Sequence, residues 1–325
     1  MTTHTPHPGA TRFAAGIALL AVRSLHAELV LYPKPGLVSL VDNGSHDDMN
    51  AATFMRSLFS LRHYFRHICL AGMAGQPFAH LKQLGIAAEA RMLRATGGIN
   101  THRGAIFSLG LICAAAGHAR AQGLPLTPGS LRAALLIRWG AELDLHTVAQ
   151  AALPTAAEAS NGLRVAALYA ASGAREEAAL GLPSVFEVGL PALQAALARG
   201  AGQQSARVDA FFALMAHMSD TNVFHRGGPE GARTVRDSAR RFLGLGGTAH
   251  PDWREHAVAC HREFVRLRLS PGGAADLLAA SCLAHSIALH VPADEAPDGL
   301  PRQPAAALIA AAPRQTAQRT KAAAP

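Results

Sequence analysis

Four polar stretches interrupt a largely apolar chain, and each gathers side chains able to hold anions or metal ions. The first, Glu28 to Asn50, reads ELVLYPKPGLVSLVDNGSHDDMN. Lys34 stands between Pro33 and Pro35, where the backbone is held extended, so it is not an ordinary helix-surface lysine. Asp42, His46, Asp47 and Asp48 follow within seven residues. Adjacent carboxylates beside His46 and Asn50 suit Mg²⁺, which takes hard oxygen ligands and keeps several waters. The same acids also suit a helix N-terminus, where they favour the dipole. Glu28 lies late in a helical pattern, against the dipole's preference, which points to a role in a site.

The second stretch is TGGINTHRG, Thr96 to Gly104. Two glycines and then Asn100 and Thr101 predict a helix start with one of those two as N-cap. Its first-turn amides would face an anion, with His102 and Arg103 alongside. The third is SDTNVFHRGG, Ser219 to Gly228. Asp220 and Asn222 share the choice between metal site and helix cap. His225-Arg226-Gly227 nearly repeats His102-Arg103-Gly104, and a guanidinium beside glycine lets a phosphate approach the backbone. The fourth, SPGGAAD, ends on Asp276, either a site carboxylate or a cap. His63 and His67 share one helix face, as ligands or as exposed helix residues. There is no GxxxxGK[ST] loop, no Rossmann glycine fingerprint and no nucleophile elbow. The shared chemistry is carboxylates for a divalent cation, with Lys, Arg, His and helix amides for phosphates.

The elements that position these groups are helical. The chain has 325 residues, half of them hydrophobic and only 5% aromatic. Ala and Leu dominate and β-branched residues are sparse, which predicts an all-α fold of ten or more helices. Periodicity places helices near 11–31, 49–71, 78–94, 105–121, 128–150, 161–170, 185–198, 207–218, 229–243, 252–269 and 276–290. One catalytic domain is expected over 11–290, with a frayed start at 1–10 and a disordered, basic, Pro- and Ala-rich tail at 291–325. In one helical domain, loops recurring along the chain can converge on one site. Cys69, Cys113, Cys260 and Cys282 lack metal-site spacing and read as buried thiols. No apolar run is expected to span a bilayer and no secretory signal is evident, which implies a cytoplasmic protein. The formal charge of +8 is carried partly by the tail. Aromatics are not interleaved with the basic residues, so a phosphate-rich small ligand accounts for the charge without nucleic acid. Ala-rich helix faces suit a homodimer without requiring one.

In order and spread, PKPGLV with GSHDDM, TGGINTHRGAIFSLG, DTNVFHRGG and SPGGAADLLA resemble the triphosphoribosyl-dephospho-CoA synthases; GAREEAALGLPSV is similar too. The likeness covers about Glu28 to Leu283. It implies ATP and 3′-dephospho-CoA as substrates, with the 2′-hydroxyl of dephospho-CoA displacing adenine from C1′ of ATP's ribose. The product would supply the acyl-carrier prosthetic group of malonate decarboxylase or citrate lyase, through a downstream transferase and an acyl carrier protein. On this likeness Asp47, Asp48 and Asp220 would hold Mg²⁺ on the triphosphate. Lys34, Asn100, Thr101, His102, Arg103, Asn222, His225 and Arg226 would contact phosphates. Glu28, Asp48 or Asp276 would serve the oxocarbenium-like sugar or the entering hydroxyl, and His46 would protonate adenine. The metal assignment requires Asp47, Asp48 and Asp220 to meet in space.

Two other readings use the same residues. A metal-dependent phosphohydrolase or ADP-ribose hydrolase would release phosphate or cleave ADP-ribose, not liberate adenine. A basic helical binder of nucleic acid or carrier protein would lose binding with its tail, and it leaves the acidic clusters unexplained.

Overall fold

The computed structural model describes residues 8–151 and 174–290. Of the frayed start expected at 1–10, residues 1–7 lie outside this range, as do the helix at 161–170 and the tail at 291–325; residues 8–10 are instead the first of a helix. Every described element is helical, with no strand among the described residues. In chain order the helices are α1 (Pro8–Leu29), α2 (Ala51–Ser60), α3 (Arg62–Met73), α4 (Phe78–Thr96), α5 (Arg103–Ala121) and α6 (Pro128–Ala151). Then come α7 (Ala174–Ala179), a π-helical turn Ser184–Gly189 running into α8 (Leu190–Ala198), α9 (Gln203–His217), α10 (Thr221–Gly244), α11 (Trp253–Arg266) and α12 (Gly272–His290).

The bundle is built around α5 and α12. They pack on each other and on α1, while α3 and α6 cover other sides of α5, and α9 packs on α12. Both are rich in Ala and buried nearly all round, as a helix at the centre of a large core must be. Each has 19 residues and a mean hydropathy of 1.3, long and apolar enough to cross a membrane by length and composition. The expectation that no such run exists therefore fails. The reason is position, since a helix enclosed by other helices needs no polar face. All four cysteines are free and buried.

Two helix boundaries depart from periodicity. The single helix expected over 49–71 is broken at Leu61. Ser60 Oγ donates to the Ser57 carbonyl (2.7 Å), and Leu61 N–H turns to Leu58 instead (3.2 Å). A side chain has taken the backbone's acceptor, a competition that hydrophobic spacing does not register. The stretch expected as a loop up to Gly228 is already helix from Thr221. Gly228, at φ 59° and ψ −161°, is a kink within α10, and Pro229 follows it.

Candidate active site

The SPGG turn at the start of α12 is where the polar stretches meet. Ser270 Oγ contacts His46 Nε2 (2.8 Å). The Ala274 amide donates to Asp220 Oδ2 (3.0 Å), and Asn222 Nδ2 lies beside Gly272. One turn into α12, the Asp276 carboxylate lies against Gly104 and accepts from the Ala105 amide at the start of α5. The N-termini of α5, α10 and α12 thus share one neighbourhood, and helix N-termini favour negative charge.

Glu28 and Lys34 form the buried floor. Glu28 is 4% exposed and Lys34 1%. They make a direct ion pair, and Lys34 Nζ also donates to the Glu28 carbonyl (2.9 Å). That carbonyl also accepts from the Leu31 amide (3.2 Å), and the ammonium beside it fits the dipole at the C-terminus of α1. The loop that carries Lys34 is fixed from α11. Gly36, at φ +71°, packs so closely on the Leu269 carbonyl that no β-carbon would fit. Ser45 Oγ donates to the same carbonyl (2.7 Å). His261 Nδ1 lies 3.2 Å from the Lys34 carbonyl and 3.3 Å from the Gly36 amide, while Nε2 lies 3.2 Å from Asp42 Oδ2.

Asp276 lies near two other carboxylates. Desolvation pushes its carboxyl well above the usual range, and the nearby carboxylates of Glu28 and Asp220 push the same way; the Ala105 amide and Lys34 oppose them weakly. Asp276 therefore tends to hold a proton, as a general acid needs. His46 has moved oppositely. Burial first and Arg226 second lower its pKa, outweighing Asp48. Arg226 Nη2 donates to His46 Nδ1 (3.1 Å). Burial and Arg226 both favour the neutral imidazole, which is a poorer acid than the imidazolium that the adenine-protonating role expected of His46 needs, and Asp276 is better suited.

Asp47, Asp48 and Asp220 do not meet in a metal site. Among the described residues no group of three or more His, Cys, Asp or Glu could hold a metal ion. Asp47 is exposed and paired with Arg268 (2.9 Å), and exposed Asp48 lies 3.6 Å from His46 Nδ1. Asp220 is buried elsewhere, capping α10 through the Asn222 amide (2.8 Å) and α12 through the Ala274 amide. Desolvation raises its pKa despite those backbone bonds. Its carboxylate is turned to amides, which leaves little for a cation.

The phosphate candidates separate into groups. Arg226 lies between the loop and the last turn, donating to the Ser45 carbonyl (3.0 Å) as well as to His46. Asn222 and His225 are exposed on α10. Arg103 turns away to Glu89 on α4 (2.6 Å), and Asn100 Oδ1 accepts from the Arg103 amide (3.2 Å). His102, not Asn100 or Thr101, is the residue preceding α5. It is 2% exposed, and desolvation, reinforced by Lys34, lowers its pKa to about 3. It is neutral and cannot offset phosphate charge. His63 is exposed on α3, as is His67.

Sequence reasoning missed Ser57, His261 and Ser270. Ser57 and His261 sit on otherwise apolar helix faces, between Phe54 and Leu58 and between Cys260 and Phe264. A buried polar residue on such a face is the signal that could have found them.

A family model described as ATP:dephospho-CoA triphosphoribosyl transferase matches residues 14–293. The chain is 40% identical over 268 residues to a probable 2-(5''-triphosphoribosyl)-3'-dephosphocoenzyme-A synthase of Acinetobacter calcoaceticus, covering 82% of this chain and 89% of that one. It is 40% identical over 267 residues to the synthase of that name from Pectobacterium atrosepticum, covering 80% and 85%. Identity is 41% over 294 residues to a probable synthase of Stutzerimonas stutzeri, covering 88% and 95%. No solved structure matches.

Proposed function

Since the chain belongs to the ATP:dephospho-CoA triphosphoribosyl transferase family and is a triphosphoribosyl-dephospho-CoA synthase, we propose that Glu28, Lys34 and Asp276 form its catalytic centre. The 2′-oxygen of dephospho-CoA bonds to C1′ of ATP's ribose, and the C1′–N9 bond breaks. The triphosphate stays on the sugar and adenine leaves. Glu28 takes the hydroxyl proton and faces the positive charge that develops at C1′; Asp276 gives a proton to adenine. One proton is removed and one supplied, so the reaction balances. The observation that carries this assignment is the pairing of two unlike carboxyl environments. Glu28 is ion-paired with Lys34, whereas Asp276 is pressed toward its protonated form.

Arg226 is our candidate for the triphosphate, with Asn222 and His225 as further polar contacts to the nucleotides. Magnesium would accompany ATP as substrate. An ion on a triphosphate needs only one or two carboxylates, and exposed Asp48 beside Arg226 is the best placed. No step depends on it.

The test is chromatography of the full chain mixed with ATP, Mg²⁺ and dephospho-CoA. Free adenine should appear in equal amount to the triphosphoribosyl adduct, and both should vanish in Asp276→Ala. Phosphate release without adenine would overturn the assignment. We further place the product in malonate decarboxylase, on overall likeness. Incubating it with a downstream transferase and each apo-carrier protein would decide between malonate decarboxylase and citrate lyase.

A further inference from the structure

Next to the Glu28–Lys34 floor is a polar chain that the reaction above does not use. Thr101 Oγ1 donates to Ser57 Oγ (2.7 Å). Ser57 Oγ lies 2.6 Å from His102 Nδ1. Ser57 is fully buried and His102 nearly so. Once Ser57 accepts from Thr101, its own proton is available to Nδ1. With that proton given to Nδ1, Nδ1 is the acceptor, and the proton of the neutral ring sits on Nε2. That atom is buried and has no hydrogen-bond partner. A buried, unpaired donor carries a free-energy cost that native proteins rarely leave uncompensated. The ring is held on another side by the edge of Phe54, with centroids 5.0 Å apart. It sits at the start of α5, within the field of Lys34.

We propose that His102 is a tautomer-locked neutral donor, set by Thr101 and Ser57, whose Nε2–H binds a phosphate oxygen of the nucleotide at the start of α5. Ser57 acts through His102 and is a positioning residue. The donor is neutral first because burial disfavours the imidazolium, and second because Lys34 nearby would repel another buried cation. The nucleotide assignment rests on the function proposed above; the anion site itself does not.

Two measurements on the full chain test this. In ¹⁵N-resolved NMR of the wild-type protein, the His102 ring should carry its proton on Nε2 alone from pH 5 to 8. A proton on Nδ1 would overturn the proposal. By calorimetry with tripolyphosphate as probe, Ser57→Ala and His102→Ala should each bind about tenfold or more weakly, the loss of one hydrogen bond to a charged group. His102→Gln, which keeps an N–H donor, should recover part of that affinity. Ser57→Ala should also give a mixture of ring tautomers. Unchanged tripolyphosphate affinity, or a loss confined to adenosine, would overturn the phosphate assignment. The NMR result needs no substitution, so it holds even where a variant fails to fold. Should adenine release fail while tripolyphosphate binding and the tautomer hold, the reaction assignment falls and the donor assignment stands.

Discussion

Asp276 and Gly104 are in such close contact that a β-carbon on Gly104 would lie 3.0 Å from the Asp276 Cγ and closer still to its Oδ2. The absence of a side chain at the start of α5 is what allows a carboxyl group from α12 to reach the Ala105 amide. Gly104→Ala should therefore push the acid out of place. Misplacement by about 1 Å is enough to cost roughly a hundredfold in rate. Adenine release should fall by about that factor while circular dichroism stays helical. Normal turnover would mean that Asp276 is not the acid.

Asp276→Asn separates function from stability. The folded carboxyl keeps its proton to higher pH than the unfolded chain does, so the folded state binds more protons in that window. Stability from this group is present below the unfolded aspartate pKa, near 3.8, and is lost as pH rises through the raised value. Asparagine can still accept from Ala105 but cannot ionise. The variant should lose activity by about 10²–10⁴-fold, as for a general acid. It should also be at least as stable as wild type at neutral pH, with a flatter stability–pH curve in urea unfolding. A parallel curve would contradict the buried, proton-holding group.

The Glu28–Lys34 pair predicts strong non-additivity. Lys34→Met alone leaves a buried carboxylate without its partner and should cost about 3–5 kcal/mol. Lys34→Met with Glu28→Gln removes both charges and should regain most of that stability, but not adenine release. Denaturant midpoints for the singles and the double give the coupling energy. Additive losses would deny the pair.

Asp220→Ala and Asp48→Ala should differ in kind. Asp220 caps two helices, and each lost cap costs about 1 kcal/mol, so a loss of about 2 kcal/mol should appear in thermal or chemical unfolding. Asp48 is exposed, so Asp48→Ala should change stability by no more than about 0.5 kcal/mol. Its effect should fall on KM for Mg·ATP. Equal destabilisation by the two changes would contradict the capping geometry.

Acid should weaken the fold through His102. Its folded pKa of about 3 lies below the unfolded value of 6.5, so the unfolded chain binds the extra proton between them. Stability is intact above about pH 6.5 and declines toward pH 3. His102→Gln should flatten that decline, and unchanged acid sensitivity would count against a buried neutral ring.

The all-helical class was legible in composition, because Ala and Leu without β-branched runs leave few alternatives. The four polar stretches were legible as polar clusters between apolar helices. Their convergence at the start of α12, through His46–Ser270, Asp220–Ala274 and Asp276–Ala105, follows from packing between residues far apart in the chain. The helix break at Leu61 was not legible, since it depends on one hydroxyl taking one carbonyl.

What the sequence determined by itself was the inventory: a lysine between prolines, paired acids, repeated His-Arg-Gly, and glycines before helices. Only the tertiary structure decided the surroundings of each. Burial beside Glu28 and Asp220 turned Asp276 toward an acid, and burial beside Lys34 made His102 a neutral ring. Backbone amides claimed Asp220 as a cap, and Arg226 took His46 Nδ1. Residue type fixes which protons a side chain can exchange; desolvation and neighbouring charge, set by the fold, fix which form it adopts.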